Sequence, residues 1–214
     1  MIKLVIFDMD GVIIDSSKVH YENWNAVFDK KFGITLDKKE FGMQFGRSGL
    51  HFTEYFLKKY HIDMDPLKLK PEILENHDKL KHKIKLKIGV IDTLQRLSKR
   101  FKIALATGAG KDAALEIVNR FKIKKYFDYI IGGDEVHEAK PDPEIFLKCA
   151  QFLEISPKEC VVVEDAQLGL MAAKKAGMLA ISIPDEFTKH QDHSMADIHL
   201  KSFLKLTPEI LKKL

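Results

Sequence analysis

Two hydrophobic patterns alternate along the chain. Short apolar runs occur at residues 4–7, 102–107, 129–134, 160–165 and 178–183. Between them, apolar residues return every three or four positions, as in Ala114, Ile117, Val118 and Phe121, or Ile145, Phe146, Cys149 and Phe152. Runs of the first kind read as strands buried on both faces, and stretches of the second as helices. Strands alternating with helices predict an α/β fold built on a parallel sheet with helices on both faces. A short sixth strand is expected at 198–200. The tail from Thr207 reads as a capped helix opened by Pro208.

One stretch breaks the alternation. Residues 16–84 contain no convincing strand and read as four helices, at 16–32, 37–45, 50–60 and 66–83, punctuated at 46–49 and 63–66. Trp24, Val27, Phe28 and Phe32 form the stripe of the first, Gly33 ends it, and Ser16 or Ser17 is its expected N-cap. The chain therefore divides into a core, residues 1–15 and 85–214, and a helical insert, residues 16–84. Because the insert leaves from the end of the first strand, it should lie over the carboxyl ends of the strands. There it can act as a cap that excludes water and selects substrates.

Composition narrows the picture slightly. With 214 residues and 45% hydrophobic content, the chain suits one large domain or a core with a smaller insert. The formal charge of +4, from 35 basic and 31 acidic residues, favours anionic partners weakly and does not indicate nucleic-acid binding. The two cysteines, Cys149 and Cys160, form no CxxC pair and are expected reduced, buried and inert. The first residues already form a core strand, and no apolar run reaches membrane-spanning length. A cytoplasmic protein without a membrane partner is expected, acting as a monomer or weak dimer.

The candidate chemistry sits at strand ends. The run Leu4 to Phe7 leads into Asp8-Met9-Asp10-Gly11. In a parallel sheet the carboxyl ends of the strands form the ligand crevice, so Asp8 and Asp10 should stand at its mouth. Carboxylates so close repel unless a cation or a shared proton compensates.

Phe7-Asp8-Met9-Asp10-Gly11-Val12 resembles the first motif of the haloacid dehalogenase superfamily of phosphohydrolases. The resemblance implies a Rossmann-like core, an aspartate nucleophile, Mg²⁺ and an aspartyl-phosphate intermediate. Three further strand ends are similar to the family's remaining motifs. Thr107 matches the second: its hydroxyl, with the amides of Gly108 and Ala109, would hold phosphate oxygens at a helix N-terminus. Lys140-Pro141-Asp142-Pro143 resembles the third, where a buried lysine offsets the charge of phosphate and carboxylates. Val161-Val162-Val163-Glu164-Asp165, continued by Ala166-Gln167-Leu168-Gly169, resembles the fourth, whose acids supply oxygen ligands to Mg²⁺.

The segment from Asp15-Ser16 through His20 to Trp24 is similar to beta-phosphoglucomutase and its sugar-phosphatase relatives. The resemblance implies that His20 couples cap closure to the acid/base aspartate. The chain also departs from the mutase pattern. Phe45 and Gly49 stand where the mutase has a phosphate-gripping lysine and arginine, with Arg47 displaced nearby. Gly110 stands where it has a core lysine, with Lys111 one position on.

The expectation is a Mg²⁺-dependent phosphatase acting on a small phosphorylated metabolite, most readily a sugar phosphate. Asp8 would be nucleophile and Asp10 general acid and base. Asp8, the Asp10 carbonyl, Asp165 and Glu164 would serve the metal. Thr107, Gly108 and Lys140 would hold the phosphoryl group, with His20 and Arg47 as cap contacts to substrate. A sugar-phosphate mutase is the rival within the same chemistry. A non-catalytic phosphate- or nucleic-acid-binding module is the rival of another class.

Overall fold

The computed structural model describes residues 1–214. The elements run β1 (Leu4–Phe7), β2 (Ile14–Asp15), α1 (Ser17–Phe32), α2 (Lys38–Met43), α3 (Gly49–Lys59), α4 (Lys70–Leu80), β3 (Lys85–Leu86), α5 (Val90–Leu97), β4 (Lys102–Ala106), α6 (Lys111–Arg120), β5 (Tyr129–Ile131), α7 (Glu144–Phe152), β6 (Cys160–Glu164), α8 (Gln167–Lys175), β7 (Leu179–Ser182), β8 (Ile198–His199) and α9 (Pro208–Leu211). Six strands form one parallel sheet in the order β5-β4-β1-β6-β7-β8. No helix is long and apolar enough to cross a membrane.

The apolar runs become strands because both faces of each can be buried. Side chains alternate across a strand. Val5, Phe7, Leu105, Val161 and Val163 join one hydrophobic cluster; Leu4, Ile6, Ala104, Ala106 and Val162 join the other. The first cluster takes Leu94 and Leu97 from α5 and Val118 from α6. The second takes Phe146 and Cys149 from α7 and Leu170 and Ala173 from α8. All four side chains of β1 are fully buried, each contributing roughly 1.5–3 kcal/mol for a residue of that size. Cys149 and Cys160 are free and buried.

Register aligns the strand ends. Phe7 is paired with Leu105 on one side and Val163 on the other. The residues that follow, Asp8, Thr107 and Glu164 with Asp165, therefore emerge along one edge of the sheet.

The insert has its own core. Trp24, Phe28, Phe41, Phe52, Phe56 and Leu69 are buried together, and α1 lies along α4. Asn23, fully inside this contact, donates to the Ile73 carbonyl at 3.2 Å, and Asn76 donates to Asn23 Oδ1 at 2.9 Å. Those bonds satisfy the polar groups that the helix pair buries. The two chain crossings between insert and core are the strands β2 and β3, which pair antiparallel as a two-stranded ribbon.

Local expectations shift in three places. Ser16 occupies the N-cap of α1 but its hydroxyl makes no capping bond, being given to Asp10 instead. The helix after β4 begins at Lys111, because Gly110 is still extended at φ −65°, ψ 152°. The Gly108 and Ala109 amides therefore belong to a loop, not to a helix N-terminus. The stretch at 66–83 is a helix, α4, with a 3₁₀ turn at each end.

Candidate active site

The centre of the site is one buried ammonium between two carboxylates. Lys140 Nζ donates to Asp8 Oδ1 and to Glu164 Oε1, both at 2.6 Å. All three side chains are less than a tenth exposed. The second oxygen of Glu164 accepts from the backbone amides of Asp165 at 3.1 Å and Ala166 at 3.3 Å. Glu164 is thus fully engaged in orienting the lysine. Glu144, at the start of α7, steadies the approach to Lys140 by accepting from the amides of His137 and Glu138, at 2.8 and 3.1 Å.

Charge is unevenly balanced here. Burial raises the Asp8 carboxyl to about 8, with Glu164 and Asp10 adding repulsion that Lys140 only partly offsets. Burial and the neighbouring Glu164 likewise hold Asp165 well above the usual carboxylate range. Burial alone would lower Lys140, but the adjoining Asp8 and Glu164 charges reverse this and push it up.

Asp10 is held differently. Its Oδ1 accepts from Ser16 Oγ at 2.6 Å and contacts His20 Nε2 at 3.1 Å. Burial would raise its carboxyl. The His20 hydrogen bond and charge, helped by Ser16, outweigh that and keep it below its ordinary value. His20 in turn stacks on His77 of α4, ring centroids 5.6 Å apart and planes 12° apart, and meets the edge of Phe45. The insert thus reaches the first motif directly, through α1.

A family model described as haloacid dehalogenase-like hydrolase matches residues 5–183, which include every one of these core groups. The chain belongs to that family. A phosphorylated carbohydrates phosphatase of Thermotoga maritima is 36% identical to it over 187 residues, 81% of each chain. A beta-phosphoglucomutase of Bacillus subtilis is 30% identical over 229 residues, covering 98% of this chain and 93% of that one. Among solved structures, CbbY from Rhodobacter sphaeroides in complex with phosphate matches with a TM-score of 0.85 at 26% identity, covering all of both chains.

In this haloacid dehalogenase-like hydrolase, Asp8, Glu164 and Asp165 offer oxygen atoms within 4.8 Å of one another. The donor set suits a hard divalent cation: three buried carboxylates face one ammonium, and that ammonium bonds Asp8 and Glu164 but not Asp165. Asp165 has as side-chain partner only Thr188 Oγ1, at 3.3 Å. Gly11 makes room for it, since a Cβ there would stand 2.1 Å from Asp165 Oδ2, and at φ +76° the position already disfavours a side chain.

The remaining expected groups are placed as follows. Thr107 is buried at the end of β4, and its Oγ1 accepts from the Ala109 amide at 3.1 Å, so that amide is already used. His20 joins the cluster through Asp10. Arg47 is exposed on the loop after α2 and joins nothing. Lys111 is committed elsewhere: its Nζ donates to Glu135 at 2.8 Å and its amide to Asp134 at 2.8 Å. Sequence reasoning missed Ser16, His77 and Thr188. Only Ser16 lay within a recognised motif; the others come from chain distant from the first motif and carry no local pattern.

Proposed function

We propose that the protein is a Mg²⁺-dependent phosphatase for small phosphorylated metabolites, with sugar phosphates as the favoured class. The proposed organisation is a catalytic core of residues 1–15 and 85–214 under a cap of residues 16–84. The observation that carries the reading is the division of labour between the two first-motif acids. Asp8 is held by Lys140, whereas Asp10 is held by Ser16 and His20 and makes no bond to the lysine. One is poised as a nucleophile against a cation and the other as a proton carrier on the cap side.

The chemistry follows from that division. A carboxylate oxygen of Asp8 attacks phosphorus, and the bond from phosphorus to the alcohol oxygen breaks. Asp10 gives its proton to the departing oxygen. An arriving phosphoryl dianion raises the Asp10 carboxyl from its low resting value and so supplies the protonated form. Asp10 then takes a proton from water as that water attacks phosphorus, releasing inorganic phosphate and restoring Asp8. Lys140 offsets phosphoryl charge, and Thr107 with the Gly108 amide offers hydrogen bonds to its oxygens. Mg²⁺, held by Asp8, the Asp10 carbonyl and Asp165, would neutralise the phosphoryl and carboxylate charge during attack. Glu164 is assigned to the lysine, with any share in the metal being through water.

Two relatives bear on the choice of reaction, one named as a phosphatase of phosphorylated carbohydrates and one as a mutase. A mutase must grip the distal phosphate of a bisphosphate with fixed cations. Arg47 is exposed and Lys111 is already paired with Glu135, which favours hydrolysis. The test is a screen of sugar phosphates with Mg²⁺ that includes beta-glucose 1-phosphate, with and without beta-glucose 1,6-bisphosphate. Phosphate release without the bisphosphate is expected. Activator-dependent glucose 6-phosphate with little free phosphate would establish the mutase instead.

A further inference from the structure

The loop after β7, residues 184–191, belongs to the core by chain position, yet it is bonded into the insert. Phe187 is buried in the insert's aromatic cluster, its ring centroid 5.8 Å from Tyr21 and 5.9 Å from Phe45. The last turn of α2 lies directly on its backbone: a Cβ at Gly42 would stand 2.1 Å from the Phe187 carbonyl oxygen.

Gln191 ties the same two parts through polar groups. It is 7% exposed. Its Nε2 donates to the carbonyls of Gly42 at 2.7 Å and Phe45 at 3.2 Å. Its Oε1 accepts from the Gln167 amide at 2.6 Å. Gln167 opens α8, whose N-cap Ala166 offers no side-chain cap. One carboxamide therefore caps a core helix and closes the end of an insert helix together.

The base of the loop is fixed to both chain crossings. Asp185 Oδ2 accepts from the Ser17 hydroxyl and lies 3.7 Å from Lys87 Nζ; these residues follow β2 and β3. Its Oδ1 accepts from the amides of Phe187 at 2.8 Å and Thr188 at 3.0 Å, and His193 Nε2 donates to the Thr188 carbonyl at 2.9 Å.

We propose that this loop is a strap that holds the insert closed over the strand ends, with Phe187 as its anchor and Gln191 as a positioning residue. The inference rests on reading residues 16–84 as a cap. The ribbon of β2 and β3 offers little resistance to a hinge, since it pairs only two residues of each strand. With the cap away, water satisfies the Gly42 and Phe45 carbonyls, while Gln191 keeps its core bond to the Gln167 amide. With the cap closed those carbonyls are shielded, and Gln191 takes the place of that water. Removing its amide penalises the closed state selectively. A ligand that needs the closed state then binds more weakly, in proportion to the closed fraction lost.

The test uses the full chain with Gln191→Leu, Gln191→Glu and Phe187→Ala. Glutamate keeps the acceptor for Gln167 but turns a carboxylate toward two carbonyls. Hydrogen exchange of the free protein is followed at residues 41–47 and in β1 and β6, and steady-state kinetics are measured on p-nitrophenyl phosphate with Mg²⁺. Exchange at 41–47 should quicken about tenfold and KM rise about tenfold, with kcat within about threefold and the strands unchanged. Unchanged exchange at 41–47, or acceleration spread evenly through β1 and β6, would overturn the strap. So would a Gln191→Glu variant that matches the parent in both readouts. The exchange experiment needs no turnover, so a protein with the expected exchange and no phosphatase activity would sink the functional reading and leave the strap standing.

Discussion

Lys140 and Glu164 are joined by a buried ion pair of 2.6 Å, and the same ammonium reaches Asp8 at the same distance. The lysine is the only cation bonded to this group of acids. Lys140→Met should therefore leave buried carboxylates uncompensated, a change typically worth about 3–5 kcal/mol. It should also lower kcat by about 100- to 1,000-fold, the usual cost of losing one charge-stabilising donor. Glu164→Gln keeps an oxygen for the Asp165 and Ala166 amides and should be milder in both respects. Thermal unfolding and steady-state rates of the two variants check this order. A Glu164→Gln variant as damaged as Lys140→Met would show that Glu164 acts directly on metal or substrate.

Metal should stabilise the protein more at high pH. The folded Asp8 carboxyl lies at about 8 against 3.8 for its ordinary value. Its pKa is raised, so the stability it contributes is present below about 4 and fades as pH climbs toward 8. Asp165 acts in the same direction. A divalent cation competes with protons for these oxygens and supplies the missing positive charge. In EDTA, the melting temperature should fall between pH 5 and pH 8 once other groups are accounted for with Asp8→Asn. Saturating Mg²⁺ should raise it more at pH 8 than at pH 5. Equal shifts at both pH values would contradict metal binding at this cluster.

Asp10→Ala should separate proton transfer from nucleophilic attack. It leaves Asp8 and its lysine in place and removes a group typically worth about 100- to 10,000-fold. The loss in single-turnover phosphorylation should be large for alkyl phosphates and small for aryl phosphates, whose leaving groups need little protonation. His20→Ala should reproduce part of the same bias, because His20 Nε2 is 3.1 Å from the Asp10 carboxylate. Losses independent of the leaving group would remove Asp10 from the role of acid.

The sheet and the acidic strand ends were legible because their signals are local. An unbroken apolar run ending in Asp8-Met9-Asp10, or in Glu164-Asp165, states both the strand and the chemistry within a few residues. The parallel register then aligns these ends without further information. What was not legible depends on chain brought together from afar. The ribbon pairs Ile14 and Asp15 with Leu86 and Lys85, two residues each, too short to carry a pattern. His77 meets His20 only because α4 lies along α1. Gln191 reads as an ordinary loop polar residue until its three partners are seen together. Ser16 shows the limit of a local rule: its capping position is right, but Asp10 is the better acceptor for its hydroxyl.

The covalent intermediate decides whether Asp8 is the nucleophile. In Asp10→Ala, an aryl phosphate should still phosphorylate Asp8, while water attack is slowed for want of a base. Acid quench, borohydride reduction and peptide mapping should then find homoserine at position 8, and none when Asp8→Asn is added. Homoserine at another position, or phosphate released with normal kinetics by Asp8→Asn alone, would remove Asp8 from the role of nucleophile.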